Sequence, residues 1–141
     1  MTIIELIDYL EENDIFVKEK SFSNIMAISI RLPIDLCFAV AYDKSKFTET
    51  SELISALAHE AGHCFSNALH TDQKSSGKCE YSAHKWVINN LIPFIKLKDA
   101  VEKKHIGTSW ELAEYFDISE SYIIRAAQYY KQKNMIIVAE E

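Results

Sequence analysis

The sequence predicts an α+β fold with a short N-terminal helix, a small antiparallel sheet and a mostly helical second half. Three observations lead to this prediction. Apolar residues recur at helical spacing before residue 13, β-branched and aromatic residues dominate or alternate with polar ones between residues 15 and 42, and helical periodicity returns after residue 50. The 141 residues, 48% of them hydrophobic, are enough for a packed core. We expect a first domain over residues 1–95 and a C-terminal helical extension over residues 96–141 packed on it.

The N-terminal helix is predicted over residues 2–12. Thr2 and Glu5 have the spacing of a capping box, and the residues that follow at helical spacing are Ile3, Leu6, Ile7 and Leu10. Three strands are predicted next, near residues 15–18, 25–32 and 36–42. Pro33-Ile34-Asp35 separates the last two strands, which indicates that they pair as an antiparallel hairpin or meander.

A long helix over about residues 50–69 carries the most informative motif of the chain. The pentapeptide His59-Glu60-Ala61-Gly62-His63 lies inside this helix. Because four residues make about one helical turn, both imidazoles project from one face and can bind the same metal ion. Glu60 stands beside the open position of that metal. The predicted buried face of the helix consists of Leu53, Leu57, Ala61 and Phe65.

The motif supplies most of what a hydrolytic zinc site needs. Such a site takes two neutral nitrogen ligands, a third protein ligand and an open position where water is held near a carboxylate base. In this interpretation His59 and His63 are metal ligands and Glu60 is the general base. The alternative is a helix with two surface histidines and a solvated glutamate, which would have the same sequence.

A polar segment over residues 71–78 predicts a loop, and a returning helix over about residues 79–90 should end near Pro93. The aromatic and apolar residues of this helix, Tyr81, Trp86 and Leu91, are predicted to pack in the core. Further helices are expected around residues 95–104, 109–116 and 120–132, followed by a terminal strand over residues 135–138.

A third ligand must come from outside the motif. Glu80 is well placed, because it begins a helix after a loop long enough for an antiparallel return, and a carboxylate suits a zinc site with two histidines. His84 lies one turn further on the same face, where it can orient a ligand. As an alternative, Glu80 is an ordinary solvated acid at a helix N-terminus. The other candidates considered are Cys64, which should face the core, and His70, Asp72 and Cys79.

These residues resemble the ImmA/IrrE family of zinc-dependent endopeptidases. The resemblance is carried by His59-Glu60-Ala61-Gly62-His63-Cys64, by the segment Cys79–Trp86 with its Glu-x-x-Ala spacing, and by Leu91-Ile92-Pro93, and it covers about residues 22–131. It implies a zincin-like metallopeptidase fold with one zinc ion, in which His59, His63 and Glu80 are the ligands and Glu60 is the base. His84 departs from the family pattern, because relatives usually have Asn or Asp at that position.

The resemblance also implies a cellular role. Family members are cytoplasmic and typically act on a helix-turn-helix repressor of a phage or an integrative element. The resemblance therefore implies a protein substrate of that class, and an edge strand of the sheet that pairs with the extended substrate backbone. A cytoplasmic location also agrees with the N-terminus, which lacks a basic region before its apolar residues, and with the absence of an apolar run long enough for a membrane span.

Two other functions stay open at the level of sequence. The first is a non-catalytic anti-repressor that keeps the metal site for stability; Glu60 speaks against it, since a structural zinc needs no base. The second is a DNA-binding regulator that uses residues 108–132, which look like a helix-turn-helix. The second helix of that segment offers Arg125 as its only early cation, and the net charge of −6 is unfavourable for binding phosphates. We therefore expect no direct nucleic-acid binding.

Overall fold

The computed structural model describes residues 1–32, 37–66 and 77–138, and in these ranges six helices pack with a three-stranded sheet. This confirms the α+β class. The helices are α1 (Ile3–Glu12), α2 (Thr50–Phe65), α3 (Gly77–Leu91), α4 (Phe94–Glu102), α5 (Ser109–Phe116) and α6 (Glu120–Gln132), and the strands are β1 (Ile15–Glu19), β2 (Ala27–Arg31) and β3 (Phe38–Tyr42). A short 3-10 turn over Lys44–Lys46 precedes α2.

The sheet is mixed, so the prediction of a purely antiparallel sheet is wrong. The strand order is β1-β3-β2. β3 pairs with β2 in antiparallel fashion, with Val40 opposite Ser29, as the hairpin prediction requires. It pairs with β1 in parallel, with Val40 opposite Val17. β3 is the most apolar of the three strands, and its central position buries Val40 completely. The connection predicted at Pro33-Ile34-Asp35 lies outside the described residues.

The helices agree closely with the sequence predictions. Thr2 caps α1 and accepts a hydrogen bond from the backbone N–H of Glu5, at 3.1 Å. Thr108 caps α5 in the same way, through the N–H of Glu111 at 3.3 Å. α5 and α6 have the predicted ends, while α3 begins two residues earlier than predicted and includes part of the predicted loop.

The prediction of a terminal strand over residues 135–138 is wrong. The backbone N–H of Met135 donates to the carbonyl of Tyr130, which closes the end of α6. The N–H of Val138 donates to the carboxylate of Glu102, at 2.8 Å. These amides therefore bond to a helix end and a side chain rather than to a neighbouring strand.

α2 is the central helix of the core and packs against α1, α3, β2 and β3. Of its predicted buried face, Leu53, Leu57 and Ala61 are buried, and Phe65 is partly buried. A continuous cluster of buried side chains extends from α1 to α6 and so includes helices on both sides of residue 95; the division into two domains stays a prediction. Trp86 stacks on Phe65 with ring centroids 4.8 Å apart. Tyr81 was expected in the core but is 55% exposed.

No helix in the described ranges combines the length and the apolar character that a membrane span requires.

Asp43, which follows β3 directly, connects the loop before β2 to the turn before α2. Its carboxylate accepts hydrogen bonds from the backbone N–H groups of Phe22, at 2.9 Å, and Ser45, at 3.1 Å. The Ser45 hydroxyl and the Lys46 ammonium group donate two more. The bond from Phe22, together with those from Ser45 and Lys46, holds the pKa of Asp43 well below its ordinary value of 3.8.

Replacing this carboxylate by an amide, Asp43→Asn, should lower the melting temperature at neutral pH by several degrees. Because the folded pKa lies below the unfolded pKa, the stabilisation is complete above the unfolded value and is lost as the pH falls through the folded value. Melting curves of wild type and Asp43→Asn should therefore converge in strong acid. Asp8→Asn, at an exposed position of α1, is the matched control. Equal melting temperatures of Asp43→Asn and wild type at neutral pH would contradict this role.

Candidate metal centre

The close approach of α2 and α3 occurs at Gly62 and Ala83. A Cβ atom on Gly62 would lie 2.5 Å from the carbonyl oxygen of Ala83 and 3.0 Å from its Cα, so no side chain fits at position 62. Gly62 lies beside His63 and one turn after His59, and Ala83 lies one turn after Glu80. This backbone contact therefore sets the distance between Glu80 and the two histidines.

The side chains of three residues converge at this point. The distances are 3.0 Å from His59 Nε2 to Glu80 Oε2, 3.3 Å from His63 Nε2 to Glu80 Oε1, and 3.3 Å between the two Nε2 atoms. In a tetrahedral zinc site with bonds of about 2.0–2.2 Å, neighbouring ligand atoms are about 3.3–3.6 Å apart. The two imidazole nitrogens have nearly this spacing, and each lies 3.0–3.3 Å from one of the two carboxylate oxygens of Glu80.

The surroundings of these donors differ on the two sides. The His63 side chain is fully buried, whereas the Glu80 side chain is 37% exposed. His59 lies between these extremes, at 20%. The donor set is therefore closed on the side of the core and open on the side of α3, where a water molecule or a substrate can reach it.

His84 belongs to a second, wider group. Single donor atoms of His59, Glu80 and His84 lie within 4.8 Å of one another, and His84 Nε2 is 4.0 Å from Glu80 Oε2, too far for a hydrogen bond. The distances to His63 are shorter, so His63 is better placed than His84 for a ligand role. The sequence suggested that His84 orients a ligand, and the structure places it against Tyr122.

Tyr122, at the start of α6, links two histidines of the site. Its hydroxyl lies 3.0 Å from Nδ1 of His59 and 2.8 Å from Nδ1 of His84. Burial raises the pKa of Tyr122 well above its ordinary value of 10.0, so the hydroxyl keeps its proton at neutral pH. Burial, followed by the positive charge of Arg125, lowers the pKa of His84 and favours its neutral form.

If His59 Nε2 faces a metal, these contacts determine which atom of His59, Tyr122 and His84 carries each proton. The proton of His59 is then on Nδ1 and is donated to the oxygen of Tyr122, as metal-binding histidines usually donate their second ring nitrogen. Tyr122 donates its own proton to Nδ1 of His84, so the proton of the neutral His84 ring lies on Nε2. The hydroxyl of Tyr122 therefore links the orientation of the His59 ring to that of the His84 ring.

Glu60 is buried beside this group, with 4% of its surface exposed. The hydroxyl of Ser29, on β2, donates to its Oε2 at 3.3 Å. Burial raises the pKa of Glu60 to about 7, the charge of Glu80 adds to this shift, and the bond from Ser29 opposes it. A divalent cation nearby would lower this pKa again, because it favours the ionised carboxylate.

The remaining candidates from the sequence have other positions. Cys64 is buried in the core, as predicted, and burial raises its pKa to about 12. Cys79 is partly exposed in the first turn of α3. His70 and Asp72 lie outside the described residues.

Two contacts of the site were not predicted from the sequence. Ser29 is 31 residues from Glu60, and Tyr122 is 63 residues from His59, so no local spacing indicates either pair. Gly62 did carry a signal. A glycine inside a helix costs about 1 kcal/mol relative to alanine, and its presence indicates a packing reason.

Comparison of the chain with protein-family models, curated proteins and solved structures gives no match. The resemblance to the ImmA/IrrE family therefore stays a prediction from the motif residues, and the chemistry of the site depends on its geometry.

Gly62→Ala tests whether the helix contact holds the donors together. Alanine favours the helix by about 1 kcal/mol, but its Cβ would clash with the Ala83 backbone, and overpacking typically costs about 1–3 kcal/mol. We expect a lower melting temperature and weaker zinc binding, measured by thermal unfolding and metal titration. Gly77→Ala is the matched control, because nothing lies within 4 Å of its Cβ position. If Gly62→Ala is as stable as wild type and binds zinc equally well, the contact does not set the site.

Proposed function

We propose that the protein is a zinc-dependent endopeptidase similar to the ImmA/IrrE family, and that it hydrolyses a peptide bond of an intracellular regulatory protein. The observation that carries the proposal is the convergence of His59, His63 and Glu80 to 3.0–3.3 Å beside the buried carboxylate of Glu60. Two imidazole nitrogens and one carboxylate oxygen are the ligand set of several hydrolytic zinc enzymes. A bound zinc ion supplies Lewis acidity, which polarises a carbonyl group and acidifies water.

Glu60 is the proton carrier in this proposal. Its carboxylate accepts a proton from the water that attacks the scissile carbonyl, and it returns this proton to the amine that leaves. The hydrogen bond from Ser29 holds one carboxylate oxygen, which limits the rotation of the group. Burial raises the pKa of Glu60 and so favours acceptance of the proton, whereas a bound divalent cation would act in the opposite direction and favour its return.

β2 is a suitable strand for binding the substrate. It lies at one edge of the described sheet, since its only strand neighbour there is β3. An extended peptide can add to such an edge through main-chain hydrogen bonds. Ser29 of this strand contacts Glu60, so a peptide paired with β2 would pass close to the base.

The structure favours this function over the two alternatives. A zinc site used only for stability has no need of Glu60, whose burial is costly for a carboxylate. In a DNA-binding helix-turn-helix, the start of the second helix faces the major groove. Here Tyr122 and Ile123 are buried at the start of α6, and Tyr122 contacts the histidines.

The substrate that we propose is a helix-turn-helix repressor, and the repressor encoded beside this gene is the one to test. Incubation with wild type should give two fragments whose masses identify the cleaved bond. Glu60→Gln should abolish cleavage, at least about 100-fold in rate, while one zinc ion per chain stays bound, because only the base is lost. Fragment masses and elemental analysis are the two measurements.

Glu52→Gln is the matched control for this experiment. It removes an exposed carboxylate from the first turn of the same helix, and it should leave both cleavage and zinc content unchanged. Undiminished cleavage by Glu60→Gln would refute the assigned role of Glu60. Release of the repressor from its operator without any fragment would favour the non-catalytic anti-repressor.

Tyr122→Phe tests the link between α6 and the site. Loss of the hydroxyl removes hydrogen bonds to both His59 and His84, and partners of this kind are worth about 10–100-fold in metal affinity or activity. The zinc dissociation constant, measured by competition with a chelator, should rise within this range. Tyr129→Phe, on the same helix, should leave it unchanged, since that hydroxyl bonds to Asn89. Equal zinc affinity and activity of Tyr122→Phe and wild type would show that the hydroxyl does not support the site.

A further inference from the structure

A cleft between α3 and α6 opens directly beside the proposed metal site. Its volume is about 560 Å³, and Glu80 and His84 form part of its wall. The other polar side chains of its lining are Tyr81 and Lys85 from α3, and Arg125, Gln128, Tyr129 and Gln132 from α6. The cleft is therefore continuous with the site and is large enough for a side chain of the substrate.

The charges of the cleft are unbalanced. Lys85 and Arg125 are both exposed, and within the described parts of the chain neither forms an ion pair. Among the described residues of the lining, Glu80 is the only one with a carboxylate, and this carboxylate points at His59 and His63. A chain with a net charge of −6 thus places two cations beside its proposed active site, and no carboxylate of the described residues pairs with either of them.

Arg125 lies close to the reacting end of the cleft. It is one turn after Tyr122 on α6, so the two residues share a face with their Cβ atoms about 5–6 Å apart. Its charge acts on both His84 and Tyr122. Since an extended peptide advances about 3.3 Å per residue, the guanidinium can reach a side chain one or two residues from the scissile bond.

We propose that this cleft is a specificity pocket for an acidic side chain of the substrate. Arg125 binds the carboxylate of that side chain, and the positive charge of Lys85 strengthens the attraction. This inference rests on the proposed peptidase function. A guanidinium binds a carboxylate through two parallel hydrogen bonds, and Gln128 and Gln132 offer further amide donors. Glutamate or aspartate next to the cleaved bond is the expected preference.

Short peptide hydroxamates test this pocket without requiring the natural substrate. The hydroxamate group binds zinc, and the probe is not cleaved. A terminal amide replaces the free carboxylate of the peptide, so that this carboxylate cannot bind the pocket. The probes differ at one side chain, which is Glu, Gln or Lys. Two series place the hydroxamate at either end of the peptide, so that both sides of the site are sampled. In one series, the Glu probe should bind zinc-loaded wild type about five- to tenfold more tightly than the Gln probe by calorimetry, and less so at high salt.

Substitutions at Arg125 identify the residue responsible. Arg125→Gln should abolish the preference for Glu over Gln, and Arg125→Glu should reverse it in favour of Lys. Lys131→Gln is the matched control, because it removes a cation from the same helix outside the cleft and should leave the preference intact. Circular dichroism and zinc content verify that each variant is folded and loaded.

The possible failures are distinguishable. Tight binding of every hydroxamate with equal affinity for Glu and Gln in both series would reject the acidic pocket while leaving the metal site intact. A Glu preference that survives Arg125→Gln would reject Arg125 as the residue that reads it. Absence of zinc from the protein, with no hydroxamate bound, would reject the peptidase and the pocket together.

Discussion

The contact of Gly62 with the backbone of Ala83 sets the spacing of the two helices on which the proposed site depends. Because no Cβ fits between them, α2 and α3 approach more closely than helices with ordinary side chains at the contact. One turn from this contact, Glu80 reaches within 3.3 Å of both imidazoles. Ligands on two packed helices are held more rigidly than ligands on a loop, which suits a site that must keep three donors converged.

The rest of the fold supports these donors from two sides. Ser29 on β2 holds the carboxylate of Glu60, and Tyr122 on α6 holds His59 and His84. A further hydrogen bond, from the backbone N–H of Ser119 to the hydroxyl of Ser55, fastens the start of α6 to α2. Of the C-terminal helices, α6 therefore contacts the site and forms one wall of the cleft beside it.

Local patterns in the sequence predicted the helices, the β2–β3 pairing and the motif, because each depends on residues that are close in the chain. The contacts of Tyr122 and Ser29 depend on how elements that are distant in the chain pack together, and the spacing of residues in the sequence does not indicate this packing. The insertion of β3 between β1 and β2 was missed for the same reason, since burial of Val40 decides it. Tyr81 was assigned to the core from its aromatic character alone, whereas its face of α3 borders the open cleft.

The zinc content of the purified protein and two variants tests the central claim most directly. If His59, His63 and Glu80 hold the metal, elemental analysis of wild type should give one zinc ion per chain, Glu80→Gln should retain far less, and His84→Asn should stay near one at saturating zinc. We expect this difference between the two variants because the donor atoms of His59, His63 and Glu80 are 3.0–3.3 Å apart, whereas His84 Nε2 is 4.0 Å from Glu80. An unchanged stoichiometry in Glu80→Gln, or the loss of zinc in His84→Asn, would contradict the assignment.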